Sequence, residues 1–445
     1  MTTDSDVHEI TSGSISAVER VVWNGYCRMS RTDFHVITAG SMSGRLRGQF
    51  RPPTDSISRR PRKICLMETL LLDRDDVAEN ARTEEVIVAV EEAFAAYQRG
   101  NVQMPSKSYV ELPEYDGDFR SMPAYMAADD WDAAGIKWVN VHTDNPERYD
   151  LPTVIGTMIY SDPRNAFPLA IMDGTTLTRQ RTGAAAAVAT DHLAVEDATS
   201  LGIVGAGVQS YTQLEAIATI RPIEDVVVAD RRESAVQSFV DRFADEFDVR
   251  GGSIAEAAGC DVLSTVTPVE SPIVDAGDVG DHTHVNAMGA DAEGKQELDP
   301  EILLDAKLVI DDYDQCIHSG EINVPWGEGR LNDGDLYGEL GEIVTGERPG
   351  RTPEDAGSGN ASEPSVADSP EDGVEHSSTS SRPEADDAVE HGSTSPPSQA
   401  REDGVTVFDS TGLAIQDVAT AHVVYEHANE QDNGTPFALV DDEVK

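Results

Sequence analysis

Lysine is almost missing from this chain of 445 residues. Only Lys63, Lys107, Lys137, Lys295, Lys307 and Lys445 occur, and the other basic side chains are arginines. Basic charge as a whole is scarce: 33 Lys and Arg stand against 82 Asp and Glu, a formal net charge of −49. A surface of that sign repels phosphate polymers and anionic bilayers, so neither nucleic acid nor a membrane is expected as a partner. Long apolar runs are missing too. None approaches the ~18 residues of a membrane span. The N-terminus carries no apolar signal core, which makes a cytoplasmic location the expectation. Cysteine is sparse, and Cys27, Cys65, Cys260 and Cys316 stand far apart with no Cys-x-x-Cys. That spacing frames neither a zinc site nor a disulfide set, and it suits a reducing compartment. No His-Glu-x-x-His or comparable pattern argues for a metal.

The acids are dispersed along the whole chain. Such a surface repels itself in dilute salt. At ~1 M salt the Debye length falls to about 3 Å and the repulsion is screened. The expectation is a salt-adapted, halophilic protein. On a surface that has discarded lysine, the survivors are informative. Lys107, Lys137 and Lys295 fall in Gly- and Pro-punctuated segments, where sites are built.

The chain is organised around Leu201-Gly-Ile-Val-Gly-Ala-Gly-Val-Gln-Ser-Tyr211. An apolar run enters a glycine turn. A helical spacing of Leu214, Ile217, Ala218 and Ile220 follows, then a second apolar run, Val226 to Ala229, ending on Asp230. Strand, glycine turn, helix, strand and acid are the parts of a dinucleotide-binding βαβ unit. Gly205 permits the tight turn, and Gly207 lets backbone N–H groups approach a pyrophosphate at the positive end of the helix. Ser210 replaces the usual third glycine and is still small enough for close helix–strand packing. Asp230 lies where an acid takes ribose hydroxyls, which favours NAD. Arg231 and Arg232 behind it are of the type that accepts the extra phosphate of NADP.

The length allows two or three domains. Residues 1–66 differ from the rest, with ten basic and six acidic side chains and no clear periodicity. They read as an N-terminal extension that is disordered or non-native, Met67 being a candidate initiator. From there, Thr83 to Tyr97 has helical spacing. Met104–Val110, Phe119–Tyr125, Gly135–Val141, Leu151–Ile155, Gly156–Tyr160 and Pro168–Met172 read as strands of an antiparallel sheet. Asp173-Gly174 reads as a hairpin turn and Thr178–Leu193 as an Ala-rich helix. After the βαβ unit come strands at Asp261–Thr267, His284–Met288 and Leu308–Ile310. Asp311 to Gly346 is mixed. Residues 351–402 carry twelve acids, three arginines and no aromatic, Leu, Ile or Met. They cannot bury enough apolar surface to offset ordering, and read as a disordered acidic insertion. Order returns with a strand at Val405–Asp409 and a helix at Leu413–His427.

A dinucleotide implies hydride transfer, and the substrate groups must lie elsewhere. A carboxylate wants Arg or Lys, and a reacting heteroatom wants an acid or base. The candidates are Lys107, Arg120, Lys137, Arg181 and Asp291. Lys137 lies on an apolar strand, where burial would bring its pKa toward neutrality. Asp291 lies in a glycine loop after a strand.

Together these segments resemble the ornithine cyclodeaminase/μ-crystallin family. The likeness rests on Phe119-Arg-Ser-Met-Pro-Ala-Tyr125, Gly135-Ile-Lys-Trp-Val-Asn140, Leu151-Pro-Thr-Val154 and Arg181-Thr-Gly-Ala-Ala185, with Gly205-Ala-Gly-Val-Gln209. Asn286-Ala-Met-Gly-Ala-Asp-Ala-Glu-Gly-Lys-Gln-Glu297, Gly320-Glu-Ile-Asn-Val324 and Phe408-Asp-Ser-Thr-Gly-Leu-Ala-Ile-Gln-Asp417 extend it. It implies an α/β fold in which a Rossmann NAD-binding domain, 196–324, is inserted in an α+β substrate-binding and dimerisation domain. The latter would comprise 67–195, 325–350 and 403–445, and two copies would form a homodimer. By resemblance Lys137 and Asp291 are catalytic, and Lys107 and Arg120 hold a substrate carboxylate. Arg181, Thr182, Gly205, Gly207, Val208, Gln209, Asp230, Arg231, Gly289, Ala290, Asp291, Lys295 and Ser410 would line the NAD site. The likeness favours NAD-dependent oxidative deamination of L-alanine to pyruvate and ammonia. The rivals are cyclisation of L-ornithine to L-proline with loss of ammonia, reduction of a cyclic imino acid, and a non-catalytic binding protein. The hairpin from Lys107 to Arg120 is longer than the family pattern.

Overall fold

The computed structural model describes residues 68–115, 117–142, 144–351 and 404–440. The expected extension 1–66 and residues 352–402 of the expected insertion lie outside them. Two eight-stranded sheets organise the described residues.

The first sheet contains β1 (Thr69–Leu72), β2 (Val102–Gln103), β3 (Ser108–Leu112), β4 (Gly117–Ala127), β5 (Asp132–His142), β6 (Val154–Ser161) and β7 (Pro168–Asp173). The second contains β8 (Ser200–Val204), β9 (Asp225–Ala229), β10 (Asp248–Gly251), β11 (Val262–Thr265), β12 (His284–Ala287), β13 (Lys307–Ile310), β14 (Leu336–Glu339) and β15 (Thr406–Asp409). The last strand, β16 (Thr435–Phe437), returns to the first sheet beside β1.

The first sheet is largely antiparallel, in the order β16-β1-β7-β6-β5-β4-β2, with β3 also on β4. Period-two alternation gives it two faces. Arg120, Met122, Ala124 and Met126 of β4 are buried, and the residues between them are half-exposed. Met122, Lys137 and Met158 stand in register across β4, β5 and β6, so Lys137 belongs to the inner, helix-covered face. The helices Thr83–Gln98, Gly174–Leu193 and Ala414–Gln431 share one apolar core with that face, including Phe94, Met158, Leu177 and Ile415.

The second sheet is parallel, in the order β10-β9-β8-β11-β12-β15-β13-β14. Its inner strands are buried and mostly apolar, as burial on both faces requires, while the edge strands β10 and β14 are more exposed. The chain winds outward from β8 through β9 to β10, then restarts on the other side of β8 at β11. That reversal is the place where such sheets bind ligands.

Two expectations change. Asp173-Gly174 is not a hairpin turn. The Asp173 carboxylate accepts the N–H groups of Thr175 and Thr176 and caps a helix that begins at Gly174. Strands β14 and β15, expected with the substrate domain as parts of 325–350 and 403–445, pair in the second sheet, with β15 between β12 and β13. Four-residue buried runs such as β15 carry no period that assigns them to a sheet. The mixed stretch after Ile310 holds the short helices Tyr313–Ser319, Asn323–Gly327 and Leu340–Val344 around β14.

Candidate active site

Lys137 projects from β5 between two helices that begin far away in sequence. Its Nζ donates to Asp417 Oδ1 at 2.7 Å and to Thr178 Oγ1 at 3.2 Å. Lysine and aspartate are each 1 % exposed. Burial pushes the Lys137 ammonium down to about 8, against the opposing pull of Asp417. Arg181 and Lys107 add their positive charges to the downward side. The Arg181 side chain lies on the same carboxylate, Nε to Oδ1 3.4 Å, and its Nη1 donates to Gln416 Oε1. Sequence reasoning missed Asp417. It sits in a helix read only for its apolar face, and the one signal was its place at the end of the Phe408–Asp417 stretch.

Lys107 lies in the break between β2 and β3. Its Nζ donates to the carbonyl of Thr411 at 2.8 Å. Burial lowers its pKa, Arg181 and Arg120 act in the same direction, and Asp311 and Asp291 oppose them. Arg120 is buried, with its Nε and Nη2 on Asp118 and its Nη1 3.0 Å from Asp291 Oδ2. Tyr109 underlies the guanidinium. Lys295 Nζ reaches the other oxygen of Asp291. Burial alone would raise the Asp291 carboxyl, but Lys295, Arg120 and Lys107 outweigh it and hold it well below the usual range. Lys107, Arg120 and Lys295 thus gather around Asp291, and Lys107 also acts on the charge of Lys137. Such a cationic cluster suits the capture of a small carboxylate.

The glycine turn takes the expected form. Gly205 has φ +104°, a left-handed conformation that a side chain would strain, and a Cβ there would meet the Thr267 methyl at 2.8 Å. Gly207 is the N-cap of the helix Val208–Ile220 and has no side-chain cap. A Cβ at Gly207 would meet nothing within 4 Å, so open space lies before the helix N-terminus. Val208 is exposed there, and Gln209 Oε1 is buried without a partner. Ser210 is fully buried and donates to the Gly207 carbonyl, as a small third residue should. The Asp230 carboxylate accepts N–H groups of Ala206 and Arg232, which ties the end of β9 to the turn. Burial opposes its ionisation, but the Arg232 guanidinium and these N–H donors lower its pKa overall. Arg231 is exposed beside it. This open, uncapped, anion-accepting turn with an acid behind it fits a dinucleotide.

The other expected residues lie on the helix Gly174–Leu193 and on the segments that follow β12 and β15. Thr182 bonds its own helix at Thr178 and offers its carbonyl to Gln213. Gly289 donates its N–H to Glu297, and Ala290 is fully buried beside it. Ser410 follows β15 and donates to Asp311. Asp311 and Glu297 were not anticipated from the sequence.

A parallel Rossmann sheet, joined to a largely antiparallel sheet whose Lys137 pairs with a buried carboxylate on a covering helix, defines the class as a Rossmann-type α/β enzyme. The model of the ornithine cyclodeaminase/mu-crystallin family matches residues 67–356 and 393–432. The chain belongs to that family. It is 40 % identical over 374 residues to an alanine dehydrogenase of Archaeoglobus fulgidus, covering 83 % of this chain and 98 % of that one. Among solved structures, an archaeal alanine dehydrogenase dimer with bound NAD superposes with a TM-score of 0.70 at 39 % identity, over 84 % of this chain and 100 % of that one. The Delta(1)-pyrroline-2-carboxylate reductase of Thermococcus litoralis, in complex with NADH and L-proline, superposes with a TM-score of 0.69 at 31 % identity, over 82 % and 99 %.

Proposed function

We propose that this protein is an NAD-dependent L-alanine dehydrogenase, which converts L-alanine, NAD and water reversibly to pyruvate, ammonia and NADH. The observation that carries the reading is the buried Lys137, its pKa pushed down to about 8, beside the cationic pair Lys107 and Arg120. Lys107 and Arg120 neutralise and orient the substrate carboxylate. Lys137 takes a proton from the amine and releases it to solvent. Neutral again, it takes one from the water that attacks the imine carbon and returns it to the nitrogen that leaves as ammonia. Asp417 supplies the counter-charge when the lysine is protonated, and Thr178 fixes its direction. Asp291, saturated by Lys295 and Arg120, aims the guanidinium rather than moving a proton.

The turn at Gly205 and Gly207, with Val208, Gln209 and Asp230, would hold NAD together with Arg181, Thr182, the loop from Gly289 to Asp291, Lys295 and Ser410. Bound there, NAD would accept hydride from the alanine Cα. Asp230 favours NAD over NADP, because a carboxylate repels a 2′-phosphate.

The same reading includes a homodimer. The outer face of the first sheet carries Val110, Trp138 and Ile159, at 52 %, 44 % and 37 % exposure, around a Phe119–Trp138 stack. The register puts Val110, Phe119, Trp138, Ile136 and Ile159 on one face. A second copy covering that face would remove the apolar area from water. The sheet that bears Lys137 would then be the substrate and dimerisation unit, in keeping with the dimeric state of the archaeal alanine dehydrogenase structure.

Absorbance at the reduced-nicotinamide band, with NAD and L-alanine or L-ornithine in molar salt, tests the reaction. A rise with alanine alone supports the dehydrogenase. Proline formed from ornithine without net reduction would replace it with a cyclodeaminase. Silence with both, but oxidation of NADH by a cyclic imino acid, would replace it with a reductase.

A further inference from the structure

Asp311 follows β13 directly and is 1 % exposed. Its neighbours are donors. Oδ2 accepts the Gly412 N–H at 2.9 Å and the Ser410 hydroxyl at 3.0 Å, with the Thr411 hydroxyl at 3.5 Å. Oδ1 faces the Cys316 thiol at 3.1 Å. Burial is the largest effect on this carboxyl and raises its pKa, while the Lys107 charge and the hydroxyl and thiol donors around it oppose that rise and favour the ionised form. Asp311 therefore pins every residue of the turn 410–412.

That turn carries the site. The Thr411 carbonyl is the acceptor of Lys107 Nζ. Gly412, at φ +75°, lies so close to Arg181 that a Cβ there would overlap the guanidinium. Among the described residues, the leading charges on Lys107 are those of Asp311, Arg181, Asp291 and Arg120, and Lys107 and Lys137 repel one another as well. Three of these five partners of Lys107 are positive. Asp291 is already engaged by Arg120 and Lys295. An ammonium in that company, deprived of water, needs a counter-charge of its own to stay protonated.

We infer that Asp311 is a positioning residue which, through the turn 410–412 and its own charge, holds Lys107 in the cationic form and orientation that capture a carboxylate. The carboxylate-binding part rests on the function proposed above; the control of Lys107 does not.

The rarity of lysine makes the test direct. Trace acetylation of the full-length protein across a pH series, read by mass spectrometry, follows each of the six lysines separately. In Asp311→Asn the apparent pKa of Lys107 should fall by about one unit or more. Lys307 should stay unchanged, and the affinity for NADH, which Asp311 touches only through Ser410, should fall less than the affinity for the amino acid. Asp311→Glu keeps the charge and should restore most of the Lys107 titration, and Asp311→Ser repeats the loss with a smaller side chain should the asparagine fail to fold. KM for the amino acid should rise about tenfold or more in Asp311→Asn, while kcat changes less than about threefold. Identical Lys107 titration in folded wild-type, Asn and Ser proteins would overturn the inference, as would an equal fall in kcat and NADH affinity in Asn with no rescue by Glu. Lys107→Met separates the two readings. If it leaves KM unaltered while Asp311→Asn still shifts Lys107, the carboxylate-binding role fails and the control of Lys107 stands.

Discussion

Lys137 and Asp417 form a 2.7 Å ion pair in which both side chains are 1 % exposed, although 280 positions of sequence separate them. The lysine is held between two opposing effects. Burial disfavours its ammonium, and the carboxylate favours it. The balance leaves the group near 8, where it can exchange protons in either direction at working pH.

The first prediction follows from that balance. Oxidation of the amino acid needs neutral Lys137, so kcat/KM should rise through about pH 8. Asp417 raises the lysine pKa, and Asp417→Asn should therefore move the rise to lower pH. The lost counter-charge should lower kcat by roughly 10²-fold, and Lys137→Ala should lower it by ~10³-fold or more while NADH still binds. Steady-state pH profiles with fluorescence titration of NADH check both. Near-normal turnover in Lys137→Ala would remove the lysine from the mechanism.

Asp230 leads to a second prediction. Its carboxylate is fastened to the glycine turn by the Ala206 N–H and flanked by Arg231 and Arg232. Asp230→Ala should weaken NADH binding about tenfold, the value of one or two hydrogen bonds to a charged group. NADPH should bind more tightly than in the wild type, because the repelling charge is gone and the arginines remain. Comparing both dissociation constants decides it, and a parallel loss for the two nucleotides would assign Asp230 to turn geometry alone.

Much of this was legible because it is local. The glycine turn, the apolar run before it and the acid after it lie within thirty residues, and the structure assembles them as a strand, helix and strand in the anticipated order. Lys137 stood out as a charge within a strand alternation. What stayed hidden was non-local or locally ambiguous. Nothing in the spacing around Asp417 shows that its helix returns to β5. The sheet position of β15 depends on parallel neighbours drawn from elsewhere in the chain. Asp173-Gly174 has the chemistry of both a hairpin turn and a helix start, and the outcome rests on two N–H groups reaching the aspartate. Asp311 and Glu297 look like ordinary acids in an acidic chain until burial singles them out.

A third prediction concerns packing. Gly202 in β8 lies against the helix Ile254–Ala258, and a Cβ there would stand 1.9 Å from the Ala257 carbonyl oxygen. Backbone on both sides leaves little room to give. Gly202→Ala should destabilise the protein by about 3 kcal/mol, at the upper end for one added methyl in a packed interior. Denaturant unfolding measures this. Because the strand feeds the turn at Gly205, NADH affinity should fall with it, whereas Gly277→Ala, at a position with nothing within 4 Å of a Cβ, should change stability little. Equal stability of the two variants would show that the helix moves aside freely.

The final prediction tests the surface. A formal charge of −49 cannot be balanced by local pairing when only 33 basic residues are present. Several of those are committed inside the site, where Lys107, Arg120, Lys137 and Arg181 are buried or nearly so. The remaining acids repel one another across the surface, and the repulsion works against the folded state more than against an expanded chain. Added salt should relieve it. Between 0.1 M and 3 M KCl the melting temperature should rise on the order of 10 °C, as several kcal/mol of screened repulsion would give in a chain of this size. Screening is nearly complete by ~1 M, where the Debye length is about 3 Å, so the steepest gain should fall below that concentration. A gain that instead continues linearly to 3 M would assign the effect to exclusion of salt from apolar surface, and a flat response would mean that the acidic surface does not limit stability.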